Sequence, residues 1–305
     1  MTVKLTRQNH NMPDFNELQE TKKCLMAFLE RSDINTDTWN DGIEAIVRFQ
    51  DERGGFSLLD SYKIESDVRV DFCYMPTYIC TAILMKAFVL NADIMTKKAD
   101  VLEEALKACC GRNLAGHGYD SFKGVIDALE VFMKGGLREF LLYYPDLCPD
   151  FTKMIKRTER LFSDKEAKRE FSGAWGEDYA ESIRRIVDYF KTFTVFVYGT
   201  LRKGQRNHEY FLSNSECLGN ATVEGFKMYD IGAFPGIVPE TGIVHGELYK
   251  VTKGTLSNLD YLEGEGNLFI RRCKCAQTES GDIYLVQLYE YNHAVEGLER
   301  INVQR

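Results

Sequence analysis

The sequence predicts an all-helical N-terminal domain followed by a smaller C-terminal domain of strands and a short helix, an α + α/β organisation. Three observations predict it. The chain has 305 residues, against a usual domain size of roughly 100–200, so two domains are expected rather than one. Apolar residues recur at three- and four-residue steps as far as Phe190, then in short alternating runs from Phe193. Glycine follows the same divide, with 11 in the first 192 residues and 13 in the last 113.

Composition excludes several classes. With 44% apolar and 28% charged residues and only 6 prolines, the chain is neither collagen-like nor wholly disordered. Net charge is −8, and both parts are mildly acidic, so no basic footprint for nucleic acid is expected. The longest apolar stretch, TYICTAILMKAFVL, is too short and interrupted to span a membrane, and MTVKLTRQNHNMPDF has no apolar signal core. A cytoplasmic protein with no membrane partner is expected. The 9 cysteines form no CxxC pair, which favours reduced thiols over a disulfide framework.

Residues 1–13 are polar and aperiodic and read as a disordered tail. Phe15, Leu18, Thr21, Leu25, Phe28 and Leu29 then fall on one helical stripe, and Trp39, Ile43, Ile46, Val47 and Phe49 on a second, up to the Gly54–Gly55 break. An apolar helix is expected over 74–90. Further helical windows run over 98–110, 122–134, 137–144, 152–162 and 179–190, each set off by Gly, Pro or Asp. The all-α domain is placed at 14–190 and the second domain at 191–305. There FTVFVYGT, ATVEGFKMYDI, IVHGELYKV, FIRRCKCAQTE and IYLVQLYEYN read as strands. LSNLDYLEG reads as a short helix capped by Thr255 or Ser257.

Inside the helical part, GGFSLLDSY followed by DFCYMPTYICTAILMKAF matches GHGYDSFKGVIDALEVFMKGG in order: glycine turn, aromatic residue, loop, apolar helix. Such turns resemble those of α/α-toroid proteins such as terpene cyclases and prenyltransferases, although no acidic DDxxD cluster is present. Two helical hairpins built alike by ordinary packing explain the echo as well. Asp71, Cys73 and His117 are zinc-binding types, but the spacing is loose and a fourth ligand is missing, so no metal is expected. The domain is expected to supply specificity, a protein partner or a homo-oligomer contact.

The chemistry concentrates in VFVYGTLRKGQRNH, over 195–208. An apolar strand ends in Tyr198, Gly199, Thr200 and Leu201, where small residues allow backbone to approach a ligand and consecutive N–H groups can nest an anion. The spacing is not that of a phosphate-binding P-loop. Downstream follow GAFPGIV (232–238), VHGELYKV (244–251), LSNLDYLEGEG (256–266) and FIRR (269–272). This ordered set resembles the gamma-glutamylcyclotransferase-like superfamily, also described as avirulence-induced-gene-like. Its members carry a YGTL or YGSL loop, a PG(I/L/V) turn, a GE(L/V)Y strand and an LDxxEG helix end followed by Y-x-R.

The resemblance implies a small mixed α/β barrel and an amide-cleaving enzyme, an acyltransferase or lyase, that forms 5-oxoproline from a small γ-glutamyl substrate. It implies no cofactor. Read from residues alone, Glu263 is a solvated charge at a helix end; the resemblance makes it the catalytic general acid and base. Tyr198, Gly199, Thr200 and Leu201 match the substrate loop, although Tyr198 also reads as a core aromatic. Tyr289 matches a late-strand tyrosine lining the cavity. Arg202, Lys203 and Arg206 would steer an acidic substrate or form a solvated face. His208 extends the match towards cyclotransferases acting on γ-glutamylamines. Y-x-R reads Phe269-Ile270-Arg271, losing a hydroxyl and leaving Arg271 as an ion-pair partner. The alternative is a non-catalytic γ-glutamyl or carboxylate-binding module, with the helical domain mediating protein interaction.

Overall fold

The computed structural model describes residues 15–31, 36–56, 74–90, 98–115, 121–143, 160 and 180–301. The expected tail, Asp71, Cys73 and His117, most of the 152–162 window and part of the glycine–aromatic echo lie outside the described residues. The chain divides into two compact units, Met1–Asp188 and Tyr189–Arg305. Among the described residues, no helix is long and apolar enough to cross a membrane.

In the first unit, α1 (Phe15–Leu29) and α2 (Thr36–Val47) bury Leu25, Phe28, Trp39, Ile43 and Ile46, and the Phe28 and Trp39 rings meet at 4.9 Å. At the centre stands α3 (Tyr74–Leu90), whose residues 76–90 are all buried. A helix enclosed on every side needs no polar face, which explains why apolar residues occupy most of its positions all the way round. It packs against α1, α4 (Ala99–Ala115), α5 (Ser121–Lys134) and α6 (Leu137–Tyr143). The buried Lys86 Nζ donates to the Leu29 and Arg31 carbonyls at 2.6 and 2.8 Å, satisfying acceptors left open where α1 ends. On α7 (Ala180–Lys191), Ile183 and Ile186 are buried.

The second unit contains a closed barrel in the order β1-β3-β2-β4-β5. Its strands are β1 (Thr192–Val197), β2 (Glu216–Asp230), β3 (Pro235–Thr252), β4 (Phe269–Thr278) and β5 (Ile283–Tyr291). Neighbours are antiparallel except where β5 closes on β1 in parallel, Val195 facing Gln287. Phe196, Val223, Phe226, Ile237, Val244, Leu248, Val286 and Leu288 fill the interior. All five strands reach this interior, β4 through Ala276, as a small barrel requires.

Two local readings are corrected. Pro235 and Gly236, expected as a turn, begin β3, which runs unbroken into the GELY segment. The short helix α9 (Lys253–Glu263) is capped by Thr252, not by Thr255 or Ser257; the Thr252 hydroxyl accepts the Thr255 N–H at 3.1 Å. A second short helix, α8 (His208–Phe211), follows the YGTL segment.

Candidate active site

β1 carries buried Val195, Phe196 and Val197 up to Tyr198, and the chain then turns through a single 3-10 turn, Gly199–Leu201. Gly199 has φ +73°, and a Cβ there would lie 2.4 Å from Pro235 Cγ. Glycine is required twice over, for the left-handed backbone and for the close approach. Asn207 folds back on the turn, its N–H reaching Thr200 O at 3.1 Å and its Nδ2 reaching Thr200 Oγ1 at 3.0 Å. The leading N–H groups of a helical turn have no intrahelical acceptor and favour an anion.

A buried network supports the turn from behind. Glu247 accepts the Lys203 N–H at 2.8 Å, Arg202 Nε at 3.5 Å and the Tyr249 hydroxyl at 2.9 Å. Because Tyr249 gives its proton to Glu247, His208 Nε2, 3.1 Å away, donates to the phenol oxygen. Burial, then the Glu247 hydrogen bond and charge, hold the Tyr249 phenol well above its ordinary range. Neither Arg202 nor His208 lines the cavity; both brace the loop that does.

That cavity, about 230 Å³, is lined by Tyr198, Thr200, Leu201, Asn207, Glu263 and Tyr289, with Phe234, Pro235, Leu262, Leu268 and Phe269 among its apolar walls. Glu263 is the last residue of α9. Helical spacing sets it on the same stripe as Leu256 and Leu259, both buried. The helix stops there because Gly264 adopts the left-handed conformation, its N–H bonding back to the Asp260 and Tyr261 carbonyls. No hydrogen bond or salt bridge links Glu263 to another described residue, and burial pushes its carboxyl up to about 7. The following acid, Glu265, is exposed and accepts the Arg271 backbone N–H.

Tyr289 is buried and donates its hydroxyl to Asp260 Oδ1 at 2.8 Å. Arg271 Nη1 grips both Asp260 oxygens, at 3.0 and 2.8 Å. Tyr198 gives its own proton to the Tyr289 carbonyl. Both phenols are therefore committed as donors to groups of the protein, and the Tyr198 oxygen also takes a hydrogen bond from the Ile237 backbone. Burial raises both above the ordinary tyrosine value, with the Asp260 charge adding for Tyr289 and the Glu263 charge for Tyr198.

Six expected site residues, Tyr198, Thr200, Leu201, Arg206, Glu263 and Tyr289, thus meet around one cavity, while Gly199 shapes the turn and Arg271 acts through Asp260. Sequence reasoning missed the grip of Asp260 on Tyr289, and it missed Glu247 and Tyr249 beneath the loop. Where the expected motif has a tyrosine, Phe269 is 2% exposed and packs on Phe234 and Tyr291, with ring centroids at 5.9 and 5.6 Å.

Comparison with known proteins places the family match in the second unit. Residues 195–304 match the family described as gamma-glutamyl cyclotransferase, AIG2-like. The gamma-glutamylcyclotransferase family protein YtfP of Escherichia coli K12 is 36% identical over 107 residues, covering 35% of this chain and 89% of that one. The gamma-L-glutamyl-butirosin B gamma-glutamyl cyclotransferase of Niallia circulans is 38% identical over 104 residues, covering 32% of this chain and 66% of that one. A solved AIG2-like protein from Mus musculus is 28% identical with a TM-score of 0.34, covering 36% of this chain and 86% of that one.

Proposed function

The chain belongs, through residues 195–304, to the gamma-glutamyl cyclotransferase, AIG2-like family, and on that premise we propose that it cyclises a γ-glutamyl amide to 5-oxoproline with release of the amine. The observation that carries this reading is Glu263: a carboxyl with no ion-pair partner among the described residues, raised to about 7 by burial, in a small cavity beside the YGTL turn.

The substrate's α-amine attacks its own δ-carbonyl, closing a five-membered ring as a new C–N bond, and the amide C–N bond then breaks. Attacking and departing groups both belong to the substrate, so no enzyme nucleophile is needed. Binding that holds amine and carbonyl in contact supplies much of the acceleration. Glu263 takes a proton from the α-ammonium and returns it to the departing nitrogen, and the second proton that the ring nitrogen sheds leaves the amine as an ammonium; a carboxyl near 7 exists in both forms at neutral pH. The N–H groups of Gly199, Thr200 and Leu201 suit the negative charge of the glutamyl carboxylate or of the developing oxyanion. The Tyr289 oxygen, whose proton goes to Asp260, can accept from the ammonium. At about 230 Å³ the cavity is smaller than the roughly 300–1,000 Å³ typical of drug-sized ligands, in keeping with an amino-acid head group.

The test is Glu263→Gln, which preserves shape and removes the proton carrier. The variant should fold as the parent does and release no 5-oxoproline from any member of a γ-glutamyl panel followed by mass spectrometry. Turnover retained in that variant would remove Glu263 from the chemistry.

A further inference from the structure

We infer that Arg206 selects substrates whose departing amine bears a carboxylate, so that the second product is an amino acid or a peptide rather than a simple amine. This deepens the proposed cyclisation and rests on it.

Among the described residues, Arg206 and Glu263 are the two charged side chains that line the cavity. Tyr289, Phe269 and Leu201 are buried parts of the same lining, whereas Arg206 is exposed and so stands on the solvent side. The scissile nitrogen has to meet Glu263, so the γ-glutamyl head fills the inner part and the departing amine's substituent passes outward towards Arg206.

The guanidinium is held in place without being neutralised. Its Nη2 donates to the Ala233 carbonyl at 3.0 Å, bringing it to the stretch that also contributes Phe234 to the cavity wall. Among the described residues no carboxylate pairs with it, unlike Arg202 with Glu247 or Arg271 with Asp260. A planar guanidinium with N–H donors in reserve matches a carboxylate through two parallel hydrogen bonds, and one that is already anchored loses less freedom on binding. Lys203, exposed on the same segment, adds to the positive field, which opposes an amine carrying a second positive charge.

Three substrates separate the alternatives on the full chain: γ-glutamyl-alanine, γ-glutamyl-alaninamide, whose carboxylate is capped, and mono-γ-glutamyl-1,4-diaminobutane. The parent should prefer the first. Arg206→Ala should lower kcat/KM for γ-glutamyl-alanine by about 10–100-fold, mainly through KM, and change the alaninamide by no more than about twofold. Arg206→Lys, which keeps the charge without the fork, should fall between. Equal losses on the first two substrates would mean that Arg206 serves the glutamyl head or merely clasps Ala233. That outcome overturns the inference, as does a parent enzyme that prefers the amide or the diamine. Absence of 5-oxoproline from all three would instead overturn the cyclisation itself, and this inference with it.

Discussion

The phenol of Tyr289 and the carboxylate of Asp260 meet at 2.8 Å, joining the last strand of the barrel to the helix that ends in Glu263. Arg271 on β4 closes the arrangement from the other side of Asp260. Three elements are thus tied together by one partly buried carboxylate, and the tyrosine's lone pairs are aimed by it.

Asp260→Ala removes the acceptor from both partners at once. It should destabilise the protein by about 2–3 kcal/mol, below the 3–5 typical of a fully buried pair because Asp260 retains some exposure. Tyr289→Phe leaves the Asp260–Arg271 pair intact and should cost only about 1 kcal/mol while raising KM for γ-glutamyl substrates. Urea unfolding and steady-state kinetics on both variants separate the two effects. Equal loss of stability would show that the tyrosine is chiefly structural.

The raised carboxyl of Glu263 sets the pH dependence of turnover. A general base must be ionised, so kcat/KM should climb with pH and level off above about 7, where an ordinary glutamate would level off near 4.5. Rates measured between pH 5 and 9 would locate the inflection. A flat profile across neutrality would argue that another group carries the proton.

The same shift makes a prediction about stability. The folded carboxyl titrates at about 7 and the unfolded one near 4.5, so the native state binds its proton more tightly. Its favourable contribution is complete below the unfolded value and is lost as pH rises through 7. Glu263→Gln cannot ionise, so it should match the parent at pH 4 and exceed it at pH 8 by up to about 3 kcal/mol, less whatever solvent screens. Urea midpoints at the two pH values would measure this difference.

Gly199 and Gly204 separate backbone strain from close approach. Both have positive φ, +73° and +80°, but a Cβ at Gly199 meets Pro235 while one at Gly204 meets nothing within 4 Å. Gly204→Ala should cost about 1 kcal/mol with activity preserved. Gly199→Ala should cost more, about 2 kcal/mol or above, and should abolish most turnover by displacing the turn. Thermal unfolding together with kcat/KM on the pair distinguishes the two terms.

Much of this protein could be read locally. The period of apolar residues changes next to Lys191, where α7 gives way to β1, because helix and strand repeats are properties of neighbouring residues. The place of Glu263 was legible too: Leu256, Leu259 and Glu263 share one helical face, and Gly264 marks the stop. The start of β3 at Pro235 and the Thr252 cap were misread because turn-like residues also begin strands, and a cap depends on where the helix starts. The tertiary structure decided which groups face one another across the barrel. Tyr198 meets Tyr289, Tyr289 meets Asp260, and Glu247 lies beneath Lys203, across separations of 91, 29 and 44 residues. Strand order and closure set such partnerships, and no short-range pattern encodes them. Glu263 became a raised carboxyl for the same reason: its residue type and helical face were written in the chain, but its desolvation required the walls that distant strands supply.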